Sequence, residues 1–126
     1  MPEKILIVED EFIVAHDLEM ILDQAGYSVC EVADSVTIAL KIIDQDTVDL
    51  VLLDIYLKGE QTGFDLAKIL MSRGIPFIYI SANSNQKVMD MANSTFPLGF
   101  IIKPYRSKDV LLSIDTALAK INNGGI

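Results

Sequence analysis

Short apolar runs alternate with amphipathic segments along the chain. Lys4–Glu9 carries Ile5, Leu6, Ile7 and Val8 without interruption, the pattern of a strand buried on both faces. Glu11 to Ala25 sets Val14, Leu18, Ile21 and Leu22 at helical spacing and ends against Gly26, a helix stop. Ser28–Ala33 predicts a second strand. Ser35 can cap a helix running to Gln45, with Ile38, Ile42 and Ile43 on its inner face. Asp49–Asp54 predicts a third strand, apolar until its last carboxylate. A loop from Ile55 to Thr62 holds Gly59, and Gly63–Arg73 then predicts a helix that buries Phe64, Leu66, Ala67 and Leu70. Gly74 and Pro76 break it before a fourth strand, Phe77–Ser81. Ser84–Asn93 is a weaker helix signal, Gly99–Ile102 a fifth strand and Ser107–Ile121 a fifth helix. The tail, 122–126, is expected to fray, which leaves 1–121 as one domain.

Five strands alternating with five helices imply parallel strands, right-handed crossovers and helices on both faces. The chain's 126 residues suit one compact domain, and 51% hydrophobic with 22% charged residues excludes a disordered chain. No apolar run approaches the roughly 20 residues that span a bilayer. Met1 to Asp10 lacks the basic start and long apolar middle of a signal peptide. A soluble, cytoplasmic protein is therefore expected. Ten basic against 18 acidic residues leave a charge of −8 with no basic patch, so direct nucleic-acid binding is not expected. Cys30, the one cysteine, sits among Val29 and Val32 and excludes an intrachain disulfide and a cysteine zinc cage. It reads as a small buried hydrophobe.

The chemistry lies where charges fall on this scaffold. Ligands of an open parallel sheet bind beyond the carboxyl ends of its strands. Glu9 and Asp10 end the first strand, Asp54 the third and Ser81 the fourth, and Lys103 follows the fifth. Each alone has an ordinary explanation as a solvated loop charge, a surface lysine or a helix cap. Together they bring three carboxylates, a hydroxyl and an ammonium to one rim. Clustered carboxylates need a compensating cation or raised pKa values, and Mg²⁺ suits a partly hydrated oxygen site. Acidic cluster, metal and lysine form a place to stabilise a phosphoryl group in transit, with Asp54 as carboxylate nucleophile and an acyl phosphate as product.

The chain resembles the receiver domain of two-component response regulators over essentially its whole length. The matching pieces are Ile5-Leu6-Ile7-Val8-Glu9-Asp10-Glu11, Asp49-Leu50-Val51-Leu52-Leu53-Asp54-Ile55, Ile78-Tyr79-Ile80-Ser81-Ala82 and Phe100-Ile101-Ile102-Lys103-Pro104-Tyr105, in order. The resemblance implies a flavodoxin-like doubly wound fold with strand order 2-1-3-4-5. It implies Asp54 as phosphoacceptor, Asp10 as a direct Mg²⁺ ligand, Glu9 as a ligand through water and the Tyr56 carbonyl as a further ligand. Ser81, Lys103 and the N–H groups of Tyr56 and Ala82 would contact the phosphoryl oxygens. Ser81 and Phe100 would act as the switch, changing the face built from the fourth helix, fifth strand and fifth helix. A cis Lys103-Pro104 peptide is implied as well. So is a histidine kinase or histidine phosphotransfer protein as phosphoryl donor.

The chain also departs from the pattern. The loop after Asp54 lacks a proline common there and is one residue longer. Phe96-Pro97 stands where Gly-Ala is frequent, so an irregular fourth-helix region is expected. The resemblance implies that Tyr56 and Asn83 occupy variable positions beside the active site that tune phosphoryl lifetime in the family, and bulky Tyr56 is expected to shield the acyl phosphate. A hydrolase reading is weaker. Tyr56 stands where a haloacid-dehalogenase-like phosphatase needs a second aspartate, and no G-x-S-x-G, P-loop or G-x-G-x-x-G motif occurs. A flavodoxin-type flavin site is opposed by Glu9-Asp10-Glu11, which would repel phosphate. His16 lies about 200° from Val14 on the first helix, away from any catalytic dyad. A binding module that kept the fold without phosphorylation is the closest alternative. No effector domain is seen in the alternation, so the chain is expected to be a standalone shuttle or a piece of a longer regulator or hybrid kinase. Apolar residues of the last helix, Leu111 or Leu118, offer a face for a homodimer.

Overall fold

A computed structural model describes residues 3–124. Its elements follow the predicted alternation: β1 Lys4–Val8, α1 Phe12–Gln24, β2 Ser28–Val29, α2 Val36–Gln45, β3 Leu50–Asp54, α3 Gly63–Arg73, β4 Phe77–Ser81, α4 Gln86–Asn93, β5 Phe100–Ile102 and α5 Ser107–Asn122. The strands form one sheet in the order β2-β1-β3-β4-β5, and every pairing is parallel. This is the expected doubly wound sheet.

The alternation of side chains along each strand divides the core into two layers. Ile5, Ile7, Leu50, Leu52, Ile78 and Ile80 pack with Leu18 and Leu22 of α1 and Ile114 of α5. Leu6, Val51, Leu53 and Tyr79 face the other way, against α2, α3 and α4. Because both faces are covered, β1, β3 and β4 are continuously apolar rather than alternating. Cys30 is buried in the second layer, and burial is the main cause that raises its thiol pKa.

Several details differ from the sequence reading, besides shifts of one or two residues at the ends of β1, α1, β3, α4 and β5. Strand β2 is two residues long, not six. Cys30 donates to the Ile5 carbonyl and Ala33 to that of Ile7, so three residues on one strand answer two on the other. That extra residue is a bulge, and it breaks the ladder before the Val8–Ala33 bridge. On α2 the buried face is Val36, Ala39 and Ile42, and Ile38 sits on the exposed flank. On α5, Leu118 is buried beside Ala117 and Leu111 is half-buried, whereas Leu112 is 68% exposed. An apolar outer face on α5 therefore rests on Leu112, not on Leu111 or Leu118, because the core stripe runs Val110, Ile114, Ala117, Leu118. Helix α5 also continues one residue past Ile121, and residues 125 and 126 of the tail lie outside the described residues.

The α4–β5 turn is irregular: Phe96 has φ 55°, a left-handed conformation for a bulky residue, and is exposed. The Lys103–Pro104 peptide is cis. Thr62 and Asp65 form a reciprocal cap on α3, and Gly74 closes that helix at φ 70°.

Gly63 has a different role. Its N–H donates to the Ile55 carbonyl at 2.6 Å, and a Cβ there would lie 2.2 Å from the Asp54 carbonyl oxygen and 2.7 Å from Ile55 Cα. Both obstacles are backbone, so only glycine lets α3 start this close to the end of β3. Gly63→Ala is expected to destabilise the fold by about 1–3 kcal/mol, read as a lower urea midpoint. An unchanged midpoint would show that the loop relaxes freely.

Candidate functional site

Register places the polar residues at one edge of the sheet. Val8 pairs with Leu53, so Glu9 follows β1 abreast of Asp54, the last residue of β3. Asp54 pairs with Ile80, and Ser81, the last residue of β4, pairs with Ile102. The Lys103 N–H then donates to the Ser81 carbonyl at 2.9 Å. Four parallel strand ends thus deliver Glu9, Asp54, Ser81 and Lys103 to one rim.

At that rim Lys103 Nζ lies 2.6 Å from Glu9 Oε1, 3.2 Å from Asp54 Oδ2 and 3.6 Å from Glu11 Oε1. Glu9 and Asp54 are only 1% and 4% exposed, and Ser81 is fully buried. The Tyr56 N–H donates to Asp54 Oδ1 at 3.3 Å, the Glu11 N–H to Glu9 Oε2 at 3.1 Å and the Asn83 N–H to Ser81 Oγ at 3.2 Å. Among the described residues no buried side-chain polar atom lacks a partner. Burial pushes the Glu9 carboxyl up to about 7, with neighbouring Asp54 adding to the rise and the Lys103 hydrogen bond opposing it. Burial works to lower the Lys103 pKa, but its hydrogen bond to Glu9 and the charges of Asp54 and Glu9 outweigh it and hold the ammonium above its ordinary value.

Carboxylate oxygens of Glu9, Glu11 and Asp54 lie within 4.8 Å of one another. Asp10 is not in this triad. Glu11 follows a bend at Asp10, and its N–H donates to Glu9 Oε2. The run Glu9-Asp10-Glu11 was the available signal for Glu11, which the sequence reading left out of the site. An all-oxygen, multiply anionic donor set fits a hard divalent cation such as Mg²⁺. Ala82 lines an open groove with Val14, Asp17, Lys103, Pro104 and Tyr105. Phe100 is half-buried, its ring 5.9 Å from that of Tyr79.

Residues 5–115 match the response regulator receiver domain family. The chain belongs to that family. Domains of this family accept a phosphoryl group on an aspartate in a Mg²⁺-dependent reaction and act as signalling switches. The receiver domain is 26% identical over 121 residues to the transcriptional regulatory protein PdtaR of Mycobacterium tuberculosis, covering 95% of this chain and 58% of that protein. It is 34% identical over 119 residues to the uncharacterized transcriptional regulatory protein YbdJ of Bacillus subtilis, covering 91% of this chain and 50% of that protein. The chain thus spans about half the length of the curated relatives it matches. The signal receiver domain of a modulated diguanylate cyclase from Desulfovibrio desulfuricans superposes with a TM-score of 0.88 at 29% identity, covering 95% of this chain and 96% of that one. A CheY-like receiver domain from Methanospirillum hungatei gives 0.90 at 24% identity over 98% and 99% of the two chains, a likeness of fold. Among the described residues no helix is long and apolar enough to cross a membrane.

The Glu9 pKa sets a pH dependence for the receiver without metal. Its folded value, about 7, stands above the ordinary 4.5, so between those values the folded state holds a proton that the unfolded chain releases. Stability from this group therefore falls as pH rises from 4.5 to 7 and is level above it. In urea titrations with a chelator present, Glu9→Gln should gain progressively on the wild type across that window. A difference that does not vary with pH would refute the assignment.

Proposed function

We propose that Asp54 is the phosphoacceptor of this receiver domain and that Lys103 holds the incoming phosphoryl group. The observation that carries the reading is the Lys103 ammonium, seated between Asp54 and Glu9 where the two strand ends meet. In the reaction an Asp54 carboxylate oxygen attacks phosphorus. The new O–P bond forms as the P–N bond of a donor phosphohistidine breaks, and the imidazole leaves with the bond's electron pair. Lys103 offers its ammonium to a phosphoryl oxygen, the Ser81 hydroxyl donates to another, and the N–H groups of Tyr56 and Ala82 complete the shell. Glu9, Asp10, Asp54 and the Tyr56 carbonyl would hold Mg²⁺, with Asp10 turning in from outside the Glu9–Glu11–Asp54 cluster, and the ion would supply positive charge against the phosphoryl oxygens. Phosphoryl gain and hydrolysis both occur on the domain itself, so it acts as a switch and not as an enzyme on a foreign substrate.

Phosphorylation makes the Ser81 hydroxyl a donor to the phosphoryl group, and Phe100 turns inward on the same face of the sheet. The switched surface is then α4, β5 and α5. A histidine kinase or histidine phosphotransfer protein supplies the phosphoryl group. Phe12 and Ile13, exposed at the head of α1, offer that protein an apolar landing next to the acidic rim. The output lies in an effector domain or a downstream protein, and the reading implies a cytoplasmic location, where such donors are made.

Acetyl phosphate with Mg²⁺ should add about 80 Da, one phosphoryl group, to the wild type and map to Asp54. The gain should vanish in Asp54→Asn and in excess chelator. A wild type that gains nothing, or an Asp54→Asn variant that gains as much, would sink the proposal. Tyr56 is half-exposed two residues after Asp54, where its ring would shield the acyl phosphate. Tyr56→Ala should shorten the phosphoryl half-life several-fold by admitting water, and an unchanged or longer half-life would count against shielding.

A further inference from the structure

Tyr79 is the bulkiest fully buried side chain described. It lies on β4 two residues before Ser81, on the same face of the sheet, and its cross-strand partner on β5 is Phe100. Its ring meets those of Phe64 at 5.7 Å and Phe77 at 5.4 Å edge-on, and that of Phe100 at 5.9 Å. A methionine or aliphatic side chain would fill this layer without any polar atom. Tyrosine brings a hydroxyl into it, and that hydroxyl needs a partner.

The partner is Thr95, just past the end of α4. Tyr79 Oη lies 2.6 Å from Thr95 Oγ1, and Thr95 Oγ1 lies 2.7 Å from the Ala92 carbonyl oxygen. Thr95 has one hydroxyl proton, and a carbonyl can only accept. Thr95 therefore donates to Ala92, and Tyr79 donates to Thr95. Burial raises the Tyr79 hydroxyl to about 12, which keeps it a donor at ordinary pH. The Ala92 carbonyl also takes the Thr95 N–H at 3.1 Å. It belongs to the last turn of α4, whose carbonyls have no partner within the helix.

This contact is the directional part of a thin attachment. Helix α4 has eight residues and buries only Val88 and Ala92. Such small apolar contacts fix a helix poorly against sliding or rotation. A two-step hydroxyl chain from the sheet to the last turn fixes its end in one place.

We propose that Tyr79 is a positioning residue. Through Thr95 it pins the C-terminal end of α4 to β4, and through its ring it ties that end to Phe100. A movement of Phe100 then reaches α4 through one fixed aromatic wall, so phosphorylation at Asp54 is transmitted to the α4–β5 face. The pinning stands on the contacts alone, whereas the transmission rests on the phosphoacceptor reading above.

Hydrogen exchange on intact protein separates the two parts, with Tyr79→Phe, Thr95→Val and the hydroxyl-retaining Thr95→Ser as variants. In the unphosphorylated state, amides of 88–95 should exchange about 5- to 10-fold faster in Tyr79→Phe and Thr95→Val, as expected for losing one buried hydrogen bond. Thr95→Ser should stay near wild type, and β1 and β3 should be unaffected. Equal α4 exchange in wild type and Tyr79→Phe would overturn the pinning, whatever becomes of Asp54. With acetyl phosphate and Mg²⁺, all four proteins should gain the phosphoryl mass to within about twofold. The phosphorylation-dependent change in α4 exchange should be present in wild type and Thr95→Ser and at least halved in Tyr79→Phe and Thr95→Val. Full mass gain with an undiminished change in Tyr79→Phe would overturn the transmission and leave the phosphoacceptor reading standing. A wild type without mass gain would overturn that reading and the transmission with it.

Discussion

One ammonium among buried carboxylates is the interaction on which the rest of the molecule depends. Glu9 and Asp54 come from strands 45 residues apart in sequence (positions 9 and 54), and both side chains are nearly inaccessible to water. Two such charges brought together without compensation would be costly enough that one carboxyl would take up a proton instead. Lys103, at hydrogen-bond distance from both, makes the arrangement tolerable. The offset is incomplete, as the elevated Glu9 pKa shows. A site held together in this way responds strongly to any newly arriving charge, whether a divalent cation or a phosphoryl group.

The fold supplies the constraint that makes this meeting possible. Parallel strands with a common register end at a common edge, so four continuously apolar runs finish their polar residues side by side. Gly63 serves the same geometry from behind, since any side chain there would collide with the backbone that carries Asp54. Core packing and site geometry are therefore one problem in this molecule. The same Ile and Leu residues that exclude water from the sheet also fix where its charges emerge.

This is why so much was legible in the sequence. Continuous apolar runs ending in Glu9, Asp54 and Ser81 name both the strands and the residues at their ends, and α3 and β4 have their predicted limits. What escaped the reading depends on local phase rather than on pattern. One additional residue between Cys30 and Ala33 converts a six-residue strand into a two-residue strand and a bridge, and apolarity does not encode a bulge. Ile38 is as apolar as Ile42, but the helix turns it to the flank. Leu112 and Leu118 differ only in where α5 meets the sheet. Glu11 joins Glu9 and Asp54 through the local turn of the chain after β1, which the run Glu9-Asp10-Glu11 does not reveal by itself.

Tyr79 was passed over for a related reason. In the sequence it is one aromatic in an apolar strand, and its ring packs as that reading requires. Its hydroxyl finds Thr95 across 16 residues, between a strand and the end of a helix, and nothing in periodicity reports such a contact. The same face of β4 thus carries two hydroxyls with different tasks, Ser81 at the acidic rim and Tyr79 beneath α4. Apolar packing holds surfaces together but tolerates sliding, while a hydrogen bond fixes distance and direction. The receiver has directional contacts both at the carboxyl rim and at the end of its most thinly anchored helix, two places where a switch needs defined positions.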